Sequence, residues 1–154
     1  MGRFDIYVAG PVLRQVDENV NPLRFLYGQI EAEAKLAGIT VAIPREEKEL
    51  ANLDPREFTD EIERRIEKAD AMLVMIIPRG WPGQFSNVSV ACEAQMGARA
   101  KKPLAILAKD PNEVPRLLRV LGGDRDPCAF DKVDFQQLFR DLGGPTQRER
   151  STNW

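Results

Sequence analysis

The chain contains no histidine. That one absence removes Ser-His-Asp triads, Cys-His pairs, histidine metal sites and imidazole acid–base catalysis together. There are only two cysteines, Cys92 and Cys128, too few for a disulfide framework or a metal signature. Cys92 reads as a small hydrophobe packed against a sheet, because no imidazole exists to activate it. A spanning segment is also missing, since the apolar run at 72–77 is far too short to cross a bilayer. With no visible signal peptide the default location is the cytoplasm, and no membrane partner is expected. Charge of one sign is lacking too: 22 Lys and Arg stand against 24 Asp and Glu, so nothing attracts nucleic acid or anionic lipid in general. Only Arg64-Arg65 and Lys101-Lys102 are adjacent, and no basic stripe results. Neither GxGxxG after a first strand nor a glycine-rich loop ending in Gly-Lys-Ser/Thr occurs, which excludes the dinucleotide and P-loop readings. Catalysis, if present, must rest on Asp and Glu, supported by Tyr, Lys, Arg and backbone groups.

What is present is a regular alternation of strand and helix signals. Residues 4–9 read as a strand ended by Gly10-Pro11, and a polar loop follows to Val20. Asn21 caps a helix with Pro22 in its first turn, stopped by Gly38, with Leu26, Ile30, Ala34 and Ala37 on the sheet side. A second strand at 39–43 closes a right-handed βαβ unit. The charged segment 45–53 is expected across the mouth of the sheet. Asp54-Pro55 followed by Glu57 opens a helix whose apolar face is Phe58, Ile62, Ile66 and Ala69. The near-continuous apolar run at 72–77 suits a central parallel strand covered on both faces. A loop at 78–86, a helix at 89–100 and a strand at 104–107 come next. The last third is expected to hold a helix at 113–121, a short fifth strand ending near Ala129-Phe130, and a helix capped by Asp134 and reaching Leu142. The sum is a doubly wound α/β domain of four to five parallel strands in a three-layer sandwich, placed at residues 1–144, with a polar tail at 145–154.

In such a sheet, ligands sit beyond the carboxyl ends of the strands. Those ends carry Gly10-Pro11, Pro44-Arg45, Pro78-Arg79 and the loop that feeds Glu93. Glu93 lies near the front of a helix otherwise made of small and apolar residues, Ala91 to Ala100. An ionised carboxylate in a first turn is favoured by free N–H groups and the helix dipole. It then suits a nucleophile or cation stabiliser, and is a poor general acid unless desolvation overrides that field. Tyr7 and Trp81 are candidates for stacking on a planar base, although Tyr7 also alternates with core positions. Asn87 and Ser89 are helix caps first, and next to an N-terminus they can also hold a sugar hydroxyl or phosphate. Arg79 can add a charge-assisted contact. Asp60 and Glu61 are the candidates for a second carboxylate.

Three stretches resemble a known family. Ile6-Tyr7-Val8-Ala9-Gly10-Pro11 is similar to the opening motif of the nucleoside 2-deoxyribosyltransferase superfamily, which includes nucleotide N-glycoside hydrolases. The run from Ile66 through Asp70 to Met75 resembles its junction between a helix and the central strand. Glu93 through Met96-Gly97, followed by Lys102-Pro103-Leu104, resembles the segment carrying the family's nucleophilic glutamate. The likeness covers roughly residues 4–107, and the order and spacing of short motifs carry it. It implies a flavodoxin-like, Rossmann-like fold that cleaves the bond between a base and C1′ of deoxyribose, with no cofactor or metal. By it Glu93 is the nucleophile, Tyr7 a first-strand ligand contact, and the Gly10-Pro11 loop a sugar or phosphate contact. Transferases of the family usually place Asp where this chain has Asn87, and the nucleotide hydrolases can have Ser there. The family's Asp ahead of the central strand is Ile62 here, leaving Asp60 as the candidate proton donor to the base.

The implied substrate is a deoxynucleoside or its monophosphate, and the family likeness implies a homodimer or larger oligomer with a shared site. The aromatic loop of Trp81 and Phe85 and the late Phe135, Leu138 and Phe139 supply apolar surface needing a cover. Two alternatives stand beside this reading. One is an NAD-cleaving domain resembling TIR domains, which Ser86 and Glu93 fit loosely. The other is a nucleotide-binding or assembly module without turnover.

Overall fold

In the computed structural model, residues 3–13, 22–78 and 87–145 are described. Strand β1 (Asp5–Ala9) leads to helix α1 (Pro22–Ala37) and then β2 (Thr40–Ala42). A one-turn helix α2 (Lys48–Ala51) precedes α3 (Pro55–Lys68) and the central strand β3 (Ala71–Ile76). Helix α4 (Val88–Arg99) returns the chain to β4 (Leu104–Ala108), and α5 (Arg116–Leu121), β5 (Cys128–Ala129) and α6 (Phe135–Asp141) complete it. All strand pairs are parallel, in the order β2-β1-β3-β4-β5. The fold is the expected Rossmann-like three-layer α/β sandwich with five strands.

Local chemistry explains the boundaries. Asp54 caps α3 by accepting from the Glu57 N–H at 2.8 Å, with Pro55 at the first helical position. Asp134 caps α6 the same way, accepting from Gln137 N at 3.1 Å. The single helix expected at 113–121 is instead a 3₁₀ turn at Pro111–Glu113 and the short α5. Pro115 separates them: it lacks the N–H a continuing helix needs and holds Val114 in extended geometry. Segment 45–53, expected across the mouth of the sheet, contains α2, which buries none of its residues.

Two apolar clusters sandwich the sheet. On one face Ile6, Val8, Leu73, Met75 and Leu107 pack against α1 and α6. On the other Tyr7, Val74 and Ile106 meet α3, α4 and α5 through Ile62, Ile66, Val90, Ala94 and Leu118. Phe135 and Phe139 are buried within the chain, and Leu138 packs against the same cluster. This corrects the expectation that α6 needs a neighbouring subunit to cover it. The remaining motive for an oligomer, Trp81 and Phe85, lies outside the described residues, as do Arg79, Ser86 and the Asn21 cap. No helix among the described residues is long and apolar enough to cross a membrane.

Candidate active site

The strand order places the switch point beside β1, whose chain connection runs one way to β2 while β3 lies on its other side. Beyond the carboxyl ends of β1 and β3, α1 and α4 diverge to opposite faces and leave a crevice. Glu93 comes to this crevice from α4 and Tyr7 from β1. The Tyr7 hydroxyl donates to Glu93 Oε1 at 2.5 Å. Eighty-six positions separate the partners in sequence, so only the fold brings them together.

Glu93 is the sixth residue of α4, not part of its first turn. At about 1.5 Å of rise per residue it lies some 7 Å along the helix from Val88, beyond the reach of the free N–H groups. The dipole stabilisation expected from sequence is therefore missing. Burial raises the Glu93 carboxyl to about 7, and the Tyr7 hydrogen bond only partly opposes this. Desolvation wins because one donor replaces the several water molecules an exposed carboxylate would hold. Near neutral pH the group is divided between acid and base forms.

Tyr7 is 8% exposed, with its ring packed in the α3–α4 cluster. The ring face expected to stack on a base is thus core, and the hydroxyl is the part that reaches the site. Its own ionisation is pushed up by burial and then by the Glu93 charge, so the proton stays on Tyr7 and is donated. The charges of Arg65 and Glu47 also reach this hydroxyl. Those two groups form an ion pair at 2.6 Å, tying the segment that carries α2 to α3, and Arg65 also contacts Glu61 at 3.1 Å.

Close packing sets the distance between α4 and the sheet. A Cβ added at Gly97 would overlap Met72 Sδ, so glycine there lets the helix lie against β3. That approach carries Glu93 down towards Tyr7. Gly10 and Pro11 are both buried at the end of β1.

Two expectations are corrected. Asp60 is exposed and does not meet Glu93. Ile62 and Ile66 are the buried positions of α3, and a residue two before Ile62 is turned about 200° from that face. Among the described residues, Tyr7 is the side chain that hydrogen-bonds Glu93. Asn87, expected as a helix cap, makes no cap bond. Its Oδ1 accepts from Ile77 N at 3.1 Å and its Nδ2 donates to Ile77 O at 3.1 Å. The amide thus clasps the end of the β3 segment, and an Asp could not supply the second bond. Ser89 is exposed in the first turn of α4.

A cavity of about 770 Å³ lies on the other flank of α4, lined by Ile77, Asn87, Ala91, Gln95 and Leu118 among others. Glu93 does not line it: Ala91 and Gln95 each stand two positions away, on the opposite side of the helix. Among the described residues no group of three or more His, Cys, Asp or Glu is placed to hold a metal ion.

No family model and no curated protein matches the chain. Its fold is similar to that of a 2-deoxyribosyltransferase from Bacillus psychrosaccharolyticus, with 16% identity, a TM-score of 0.54, and coverage of 87% of this chain and 89% of that one. It is also similar to a CMP N-glycosidase from Clostridium botulinum, with 13% identity, a TM-score of 0.52, and coverage of 90% and 97%. A 2-desoxiribosyltransferase from Leishmania mexicana matches at 19% identity and a TM-score of 0.49 over 70% of this chain. The chain spans 65% of the length of that protein. At these identities the first two likenesses show a shared fold alone.

Proposed function

We propose that this protein cleaves the N-glycosidic bond of a 2′-deoxynucleoside or its 5′-monophosphate, with Glu93 as the nucleophile. The observation that carries the reading is the Tyr7–Glu93 pair at 2.5 Å in the crevice of the sheet. Support comes from the fold, which resembles that of a deoxyribosyltransferase and of a CMP N-glycosidase. Breaking the bond puts positive charge on C1′ and negative charge on the leaving base. A fixed, partly desolvated carboxylate beneath C1′ stabilises the first and forms a bond to it. Tyr7 holds one carboxylate oxygen and so directs the other at the sugar. Water or a second base then releases the sugar from Glu93. With Asp60 facing solvent, a water molecule is the proton source for the departing base in this scheme.

The Gly10-Pro11 turn is assigned to the sugar. Ser89, with Asn87 in place of a carboxylate, favours the monophosphate, because no negative charge at that position repels phosphate. Arg79 and Trp81 are assigned to phosphate and base contact.

The test is a base-release screen over deoxynucleosides, their monophosphates and NAD, with and without an added acceptor base. Release from a deoxynucleoside monophosphate, faster than from the free nucleoside and lost in Glu93→Gln, is the expected result. Release from NAD alone would replace this reading with the TIR-like one. Binding of a monophosphate without release would leave a binding module.

A further inference from the structure

Helix α1 buries Leu23, Leu26, Tyr27, Ile30, Ala34 and Ala37 against the sheet. Five of these are aliphatic, and packing alone would accept phenylalanine at the sixth. Tyr27 is nevertheless fully buried, and its hydroxyl donates to the Pro11 carbonyl at 2.8 Å. A buried hydroxyl lowers stability unless bonded, so its position reflects the bond it makes.

The bond falls on the turn that closes β1. Gly10 lies directly against it: a Cβ there would overlap the Tyr27 hydroxyl and stand 3.2 Å from Met75 Cβ. The next residues are pinned as well, since Leu13 N donates to Pro44 O at 2.8 Å and Leu13 bridges to Arg45. The turn is thus anchored to α1 at one point and to the end of β2 at another. Tyr27 also senses the site on the far face, because the Glu93 charge adds to burial in keeping its proton in place. Two tyrosines therefore border the crevice, Tyr7 on the carboxylate and Tyr27 behind the turn.

We infer that Tyr27 is a positioning residue of the Glu93 site, its hydroxyl holding the Gly10–Pro11 turn where that turn meets the substrate. The inference rests on the N-glycosidase reading for what the turn contacts, while the anchoring itself rests on the hydrogen bond. Tyr27 touches neither Glu93 nor the reacting atoms, so removal of its hydroxyl acts on binding that the ground and transition states share. In kinetic terms, KM rises and kcat is kept.

The experiment compares wild type, Tyr27→Phe, Gly10→Ala and the double variant by thermal melting and by kinetics on the fastest-cleaved substrate. Tyr27→Phe is expected to fold, to raise KM about tenfold and to keep kcat within about twofold. It is also expected to restore part of the stability lost in Gly10→Ala, because the overlapping oxygen is gone. A folded Tyr27→Phe with KM within about twofold of wild type overturns the inference. So does a Gly10→Ala loss that is the same in both backgrounds. Calorimetric titration with the four 2′-deoxynucleoside 5′-monophosphates separates this from the broader reading. Wild type that binds them without cleavage rejects the N-glycosidase, and Tyr27 is then judged by its dissociation constant, expected about tenfold weaker in Tyr27→Phe. Equal constants, or no binding by wild type, overturn the inference.

Discussion

On the α1–α6 face of the sheet, the buried polar atom is the Tyr27 hydroxyl, which has a backbone acceptor and a neutral charge state. On the α3–α4 face it is the Glu93 carboxylate, with one tyrosine donor against the loss of most of its water. The first arrangement is satisfied and structural. The second leaves the carboxyl near 7, well above the ordinary range, and so holds a reactive group close to its point of ionisation. Burial yields an anchor in one case and a titrating centre in the other. The difference is the charge: one acceptor satisfies a neutral hydroxyl, whereas one donor does not offset the lost hydration of an ionised carboxylate.

Glu93→Gln should break this contrast with the largest effect. Turnover is expected to fall by about three orders of magnitude or more, since the amide cannot bond to C1′. Its stability should move with pH. Between the ordinary carboxylate value and about 7 the folded chain keeps a proton that the unfolded chain has released, so wild-type stability falls as pH rises through that interval and levels off above it. Denaturant melts at pH 8 should therefore show Glu93→Gln more stable than wild type, by on the order of 3 kcal/mol, with the gap closing towards pH 4. Equal stability at both ends would deny the carboxylate its buried setting.

Tyr7→Phe sharpens the comparison by removing the donor to Glu93 Oε1. That hydrogen bond lowers the Glu93 value, so its loss moves the carboxyl further above 7. A nucleophile must be ionised, and the acid limb of kcat/KM, expected near 7 in wild type, should move to higher pH. A rate loss of about tenfold at pH 7 should accompany it. A limb that stays put, or moves down, would contradict the geometry.

Asn87→Asp should have a smaller effect. The Ile77 carbonyl loses its donor and faces a carboxylate, at a cost of about 1–2 kcal/mol in urea unfolding. The monophosphate should also lose its advantage over the free nucleoside in kcat/KM. Asp60→Asn should do least: unchanged rate, pH profile and stability within about 0.5 kcal/mol. A large rate loss there would restore the second carboxylate and undo the assignment of the site to Tyr7 and Glu93.

How much of this could be read in advance depended on how local each feature is. The Asp54-Pro55 and Asp134 caps act over three residues, and both were legible, as was the all-parallel sheet from its alternating apolar runs. Pro115 also carried its own signal, a break inside 113–121. Glu93 was legible as a candidate, but at the sixth position of α4 it lies past the free N–H groups, so burial rather than the helix dipole sets its ionisation. Asp60 shows a signal present and overlooked, because the spacing of Ile62, Ile66 and Ala69 already turns it outwards. Tyr27 and Asn87 were not legible in their roles. Each bonds a backbone atom that a distant segment supplies, Pro11 in one case and Ile77 in the other, and no periodicity encodes that.

Because the chain has no histidine, the buried Glu93 makes it an unusually clean proton counter near neutral pH. No imidazole is present to titrate beside it. A neutral nucleoside brings no titrating phosphate of its own. If it displaces the remaining water around Glu93, proton uptake on binding reports on that carboxyl. Calorimetry of the same complex in buffers of different ionisation heat then converts a heat difference into a fraction of a proton. The protein carries its own single-site indicator, and every substitution around the crevice can be read by how it changes that count.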